Sequence, residues 1–195
     1  MGKIFYVMGK SSSGKDSIFK KIQEEAPNLQ TIVPYTTRPI REDETEGVEY
    51  FFVSESELSS MVREDKVVEV RSYETVHGVW RYFTVDDGQI DLENDNYYLM
   101  IGTLESYDRI RKYYGNTKVI PVYIEVEDGE RLERALKRER AQKTPKYDEM
   151  CRRFMADNKD FSDENILECG IKKRYINDDR DRCAKEIAEM IKAQM

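Results

Sequence analysis

The chain has 195 residues, 36% of them charged and 39% hydrophobic, with a formal net charge of −7. These values suit one soluble domain long enough to bury a core, and no apolar run approaches the length needed to cross a bilayer. The acidic balance argues against a nucleic-acid partner, which would favour a broad basic face, but leaves room for local basic patches that hold small anions. Cys151, Cys169 and Cys183 are odd in number and widely spaced, and His77 is the only histidine, so neither a zinc site nor a disulfide framework is supported. Reduced thiols without a role are expected. The stretch before the first glycine-rich loop is too short for a secretory leader, which points to a cytoplasmic location.

In chain order, Lys3–Met8 is a short apolar run that reads as a buried strand. Gly9, Lys10, Ser11, Ser12, Ser13, Gly14, Lys15, Asp16 and Ser17 follow, with two glycines five positions apart, then a lysine and a helix start. That is the strand, glycine-rich loop and helix order of a phosphate cradle. The glycines allow backbone N–H groups to turn inward on a polyphosphate, and Lys15 adds a point charge near its β- and γ-phosphates. Asp16 stands where a Ser or Thr hydroxyl usually reaches Mg²⁺; a carboxylate binds the metal more strongly but places negative charge beside the phosphates. An ordinary Gly/Ser turn capped by Asp16 is the competing reading of the same residues.

Residues Asp16 to Pro27 read as a helix with Ile18, Phe19 and Ile22 on one face. Thr31 to Arg41 reads as a short strand running into a polar segment with two arginines, and Glu42 to Gly47 as a charged turn. Strand-like Glu49–Val53 and Lys66–Tyr73 flank a helix that opens with the capping box Ser54-Glu55-Ser56-Glu57. Val76–Val85 completes a small antiparallel lobe over residues 36–90, in which His77 beside Gly78 reads as a turn residue rather than a catalyst. The buried strand Tyr97–Gly102, the helix Leu104–Tyr113 and the strand Val119–Val126 come next; Pro121 is awkward for a central strand. Residues 129–142 and 145–160 read as two charged helices broken at Lys143-Thr144-Pro145. A strand over Gly170–Ile176, the turn Asn177-Asp178-Asp179 and an amphipathic helix with Cys183, Ile187, Met190 and Ile191 at helical spacing close the chain. Strands alternating with helices imply a parallel α/β sheet covered on both faces.

With the glycine-rich loop, Thr36-Thr37-Arg38-Pro39-Ile40-Arg41, and Glu44 to Val53 in view, the chain resembles the guanylate kinases from residue 3 to about residue 192. The resemblance implies an α/β fold with a P-loop NTPase-type parallel sheet flanked by helices: a core over residues 1–35, 91–137 and 158–195, an NMP-binding lobe over 36–90, and a helical lid over 138–157. It implies ATP and Mg²⁺, transfer of the γ-phosphoryl group to GMP, and nucleotides rather than nucleic acid or membrane as partners, with monomer and homodimer both open. In that family two arginines and a tyrosine hold the GMP phosphate, which implies that role for Arg38, Arg41 and Tyr50; planar guanidinium groups suit phosphate oxygens. Glu69 falls where the family has the carboxylate that accepts from N1–H and the 2-amino group of guanine, a pairing adenine cannot make. Tyr82 and Thr84 look like the residues that complete that pocket. Of the arginines available to the lid, Arg134, Arg138, Arg140 and Arg153, the last matches best and the register of Arg138 against Arg140 is open; with Lys15, Arg138, Arg140 and Arg153 form the implied catalytic set. Asn177 resembles the contact to the ATP adenine.

Several positions depart from the family's pattern. Pro34 stands in place of a serine that touches guanine, Phe83 in place of a glycine, and the strand end Met100-Ile101-Gly102 lacks both family carboxylates. Asp16 is expected to replace the missing acid as a Mg²⁺ ligand. Two rival readings follow. The segment Gly14-Lys15-Asp16-Ser17 and the bare strand end also resemble the ribose 1,5-bisphosphate kinases, whose acceptor is a sugar phosphate. Guanylate-kinase-like modules that bind proteins without catalysis share the fold but have no need of the Gly9, Gly14 and Lys15 present here.

Overall fold

Lys3–Met8 forms β1, buried throughout after its first residue. It is the middle strand of an all-parallel sheet ordered β2 (Gln30–Thr31), β7 (Tyr97–Gly102), β1, β8 (Val119–Glu125) and β9 (Arg174–Ile176). The computed structural model describes residues 1–75 and 78–195; Val76 and His77, and with them the turn reading of His77, lie outside the described residues.

Alternation along the strands divides the core into two layers. Ile4, Tyr6 and Met8 join Tyr98 and Met100 under Leu104, Tyr107 and Ile110 of α3 (Leu104–Tyr114) and Ile166 of α6 (Asp163–Glu168). Phe5 and Val7 join Leu99, Val122 and Ile124 on the other face. There they meet the expected stripe Ile18, Phe19 and Ile22 of α1 (Lys15–Glu25) and Cys183, Ala184, Ile187 and Ile191 of α7 (Arg180–Lys192). Burial pushes the Cys183 thiol up to about 11, so it packs as a small apolar group and is not reactive.

Pro121 is accommodated because the ladder alternates sides. The Lys118 carbonyl accepts from Ile4 on the β1 side and the Glu125 carbonyl accepts from Asn177 on the β9 side. Odd-numbered residues of β8 therefore face β9, whose pairing begins only at Tyr123, so the proline nitrogen of residue 121 meets no acceptor that needs it.

The second sheet runs β4 (Phe51–Phe52), β3 (Tyr35–Thr36), β6 (Gly78–Val85), β5 (Val67–Thr75). It is not the purely antiparallel lobe the sequence suggested: β3 pairs with β4 in parallel and with β6 antiparallel. The single strand expected from Thr31 is two, because Ile32 anchors the core while Tyr35 turns into the lobe. The strands expected over Glu49–Val53 and Gly170–Ile176 shrink to Phe51–Phe52 and Arg174–Ile176. Helix α2 (Glu55–Arg63) begins at the foreseen capping box on Ser54. Phe83, fully buried, fills the lobe's small core with Leu58 and Val85, which explains a large residue at that position. Helices α4 (Asp128–Arg140) and α5 (Tyr147–Asp160) bracket the expected break, and α6, six residues capped by Ser162, was not foreseen.

The α1/α7 layer can be tested through Ile187, which has no solvent exposure. Ile187→Ala is expected to cost about 2–5 kcal/mol, seen as a drop of roughly 5–15 °C in Tm by circular dichroism. A loss below about 0.5 kcal/mol would contradict close packing at this position.

Candidate active site

The turn after β1 has little conformational choice. A Cβ on Gly9 would lie 2.5 Å from the Ile124 carbonyl oxygen. Gly14 has φ +80° and a Cβ there would meet the Asn177 amide nitrogen at 2.5 Å. Ser12, with φ 64°, is one of the few non-glycine residues in the left-handed region, a strain of the kind held at binding sites. Gly14, not Asp16, is the N-cap of α1, and no side chain caps the helix, so its first amides are left to a ligand. The capped-turn reading of Asp16 is thereby excluded. The Ser12 and Ser13 hydroxyls are buried without a hydrogen-bond partner among the described residues.

The loop is braced from three sides. Asn177 is buried and its side-chain amide donates to the Ser13 carbonyl at 2.7 Å. The residue expected to meet the adenine thus also braces the loop. The Ser11 N–H donates to the Asp157 carboxylate at 2.8 Å, so one cradle amide already holds an anion. Lys10 donates to Asn158 at 3.0 Å and Asp128 at 3.3 Å, which ties it to α4 and α5 instead of leaving it for phosphate. Arg131, 1% exposed, reaches Asp128, Asp157 and Asn158 and stacks on Phe154 at 4.0 Å. Sequence reading missed this knot because Arg131, Asp157 and Asn158 look like part of two solvated helix faces; only the fold brings them to the loop.

Lys15 Nζ lies 3.7 Å from the Asp16 carboxylate, which is 80% exposed. A cleft of ≈ 280 Å³ separates the loop from α4 and α5 and is lined by Ser11, Ser12, Arg131, Arg138, Arg153 and Phe154. Arg140 is exposed and does not line it. Arg152 and Arg153 both donate to Glu149, whose carboxyl is held down to about 2, chiefly by the Arg152 hydrogen bonds. On the other side of Gly14, Ser17, Arg134, Asn177 and Asp178 line an open groove of ≈ 420 Å³.

In the small lobe Arg38 is 3% exposed and paired in a fork with Glu44 at 2.7 and 2.9 Å. Its Nη1 also reaches the Pro39 carbonyl and its Nε the Tyr82 hydroxyl, while Tyr50 and Phe52 lie 5.5 Å from its guanidinium. One Nη2 hydrogen is left without a partner among the described residues, and the Tyr82 hydroxyl, which accepts here, still has its own proton to donate. Arg41 is exposed, and its backbone N–H donates to the Glu44 carboxylate at 2.9 Å. Tyr50 packs edge-on against Tyr82. Glu69 is buried and bonded to Thr84 at 3.0 Å and to Arg71. Glu44 and Arg71, which this geometry makes central, were not singled out from sequence.

The lobe joins the core where β1 and β7 end. Arg71 reaches the Thr103 hydroxyl at 3.3 Å and Arg109 of α3 reaches the Val70 carbonyl at 3.2 Å. At the strand end lacking its carboxylates, a Cβ on Gly102 would lie 2.0 Å from the Tyr6 hydroxyl. The Tyr6 ring is fully buried, so a tyrosine fills the volume a side chain at 102 would need. Among the described residues no group of three His, Cys, Asp or Glu side chains is placed to hold a metal.

The model of the family described as guanylate kinase matches residues 1–194. A Thermotoga maritima guanylate kinase is 32% identical over 126 residues, which span 62% of this chain and 57% of that protein. One from Legionella pneumophila is 41% identical over 68 residues, 35% of this chain and 32% of that protein. The matched stretches thus span between about a third and under three fifths of these curated relatives. A crystal structure of guanylate kinase from Anaplasma phagocytophilum superposes with a TM-score of 0.64 at 18% identity, covering 99% of this chain and 86% of that one, a likeness of fold.

Two outcomes follow from the geometry. Asn177→Ala frees the Ser13 carbonyl and is expected to weaken ATP binding about tenfold in a calorimetric titration while the fold persists; unchanged affinity would show that the brace is irrelevant. Glu44 has its carboxyl below the ordinary 4.5, chiefly through the Arg38 hydrogen bonds. A lowered carboxyl contributes stability that is full above its unfolded value and lost as pH falls through its folded one. Glu44→Gln should therefore be less stable than the parent at pH 7, and the difference should close below 4.5 in acid-unfolding curves.

Proposed function

The chain belongs to the guanylate kinase family, and on that premise we propose that it transfers the γ-phosphoryl group of ATP to GMP, giving ADP and GDP reversibly. What carries the reading is the pairing of an open, anion-holding loop at Ser11 to Lys15 with a second cationic site at Arg38 and Tyr82 in the attached lobe. The loop amides and Lys15 hold the triphosphate. The last Nη2 hydrogen of Arg38, the Tyr82 proton, Tyr50 and exposed Arg41 receive the acceptor phosphate, and Glu69 with Thr84 reads the base. Arg138 and Arg153, which line the cleft over the loop, serve as the lid arginines in preference to Arg140, and Arg134 borders the groove left for adenine. Residues 138–157 act as the lid that excludes water.

The accepting phosphate oxygen is already ionised, so no general base is needed and the work is alignment and charge neutralisation. A single exposed carboxylate, Asp16, beside Lys15 suits Mg²⁺, which takes most of its ligands from phosphates and water and not from a protein cage. Asp16 would hold it from the loop side, and the ion would offset phosphate charge. A cytoplasmic location and nucleotides as partners go with this reading; no described helix is long and apolar enough to cross a membrane.

A sugar-phosphate acceptor would offer the buried Glu69 hydroxyls but not the side-by-side N–H pair that matches both oxygens of a carboxylate, and a catalytically silent module would not need the open loop; both argue for the nucleotide kinase. A coupled ADP-release assay offering GMP, dGMP, AMP and ribose 1,5-bisphosphate should give turnover with the guanine nucleotides. Turnover with the bisphosphate alone would replace the proposal. Lys15→Met should lower kcat by about 10² or more, and Asp16→Ser should raise the Mg²⁺ concentration needed for half-maximal rate. An unmoved Mg²⁺ requirement would remove Asp16 from the metal.

A further inference from the structure

Strand alternation puts Glu69 and Arg71 on one face of β5, opposite Thr84 and Tyr82 of β6. The Glu69 side chain has no exposure and that of Arg71 only 12%. Arg71 Nε donates to Glu69 Oε2 at 3.0 Å and Nη2 to Oε1 at 3.3 Å. The guanidinium thus covers the carboxylate with two side-by-side N–H donors, the same chemical pattern that N1–H and the 2-amino group of guanine present. Both cannot occupy one carboxylate edge.

We propose that Arg71 is an internal stand-in for guanine: it occupies Glu69 until the base enters, must then be displaced, and so sets acceptor affinity and selectivity. The inference rests on the acceptor proposed above. An unpaired carboxylate buried beside Thr84 would be costly, and Arg71 satisfies it until a ligand does. A displaced guanidinium has somewhere to go. Its Nη1 already reaches the Thr103 hydroxyl at 3.3 Å, at the N-cap of α3. Tyr82, directly across the ladder from Arg71, touches Arg38, so the stand-in sits between the base-reading and phosphate-reading ends of the lobe. As a group acting through Glu69, Arg71 is a positioning residue.

The test compares Kd for GMP and for IMP, which keeps N1–H but lacks the 2-amino group, in the full chain and in Arg71→Ala and Arg71→Lys, with melting curves to show folding. Arg71→Ala should bind GMP about tenfold more tightly and IMP within about twofold of the parent, because only GMP offers two donors to the released carboxylate. Arg71→Lys, which cannot present a fork, should shift in the same direction by about threefold and decides between the outcomes if the alanine variant does not fold. Unchanged or weaker GMP binding in folded variants, or equal shifts for GMP and IMP, would overturn the role of Arg71 while leaving GMP turnover in the parent intact. A parent that binds ATP but neither binds nor phosphorylates GMP, with no gain in either variant, would instead sink the acceptor reading and this inference with it.

Discussion

The hydrogen bond from the Asn177 amide to the Ser13 carbonyl is the contact on which the site depends. The backbone leaving β1 must reverse into α1 through left-handed residues at Ser12, where the conformation is strained, and at Gly14, where only glycine adopts it freely. Asn177 arrives at the end of β9, a strand whose position is set by pairing with β8, and its buried amide leaves no room for a side chain at residue 14. The two-layer core holds β1 and β8 in register, β8 places β9, and β9 places the brace. A loop held this way presents its amides without having to be ordered by the ligand.

A second theme is that polar and charged groups of the candidate site are satisfied internally. Asp157 sits on a loop amide, Glu44 on Arg38, and Arg71 on Glu69. The last two pairs join opposite charges at largely buried positions, where leaving one partner alone would be costly. On the function proposed, substrates exchange with these internal partners, and affinity becomes the difference between two similar interactions. On that reading such a difference is tuned by single residues such as Arg71 and Asp157.

The strand end at Gly102 shows how one change is absorbed by another. With no side chain at residue 102, the Tyr6 ring on the neighbouring strand extends into the space, and Thr103, one residue on, both caps α3 and receives Arg71. The polar junction between lobe and core is thus built from a phenol, a hydroxyl and a guanidinium in place of acids.

The strands β1 and β7, the helix stripe Ile18, Phe19 and Ile22, the capping box at Ser54 and the phosphate loop were legible in the sequence. Each is a local pattern whose physics acts within a few residues: alternation, helical spacing, an N-cap, a glycine-bounded turn. What the chain alone could not yield are the parallel pairing of β3 with β4, the harmless placing of Pro121, the brace of Asn177, the Arg131 knot and the capture of Glu69 by Arg71. Even Arg71, two residues from its partner, hid in plain view, because a charged strand residue reads as solvated until the sheet and α3 bury it. Sequence by itself determined which segments are apolar and where the backbone can turn sharply, since those depend on neighbours along the chain. Tertiary structure alone decided which charges meet and which are buried, because Coulomb attraction and desolvation depend on distances between residues far apart in sequence, and folding sets those distances.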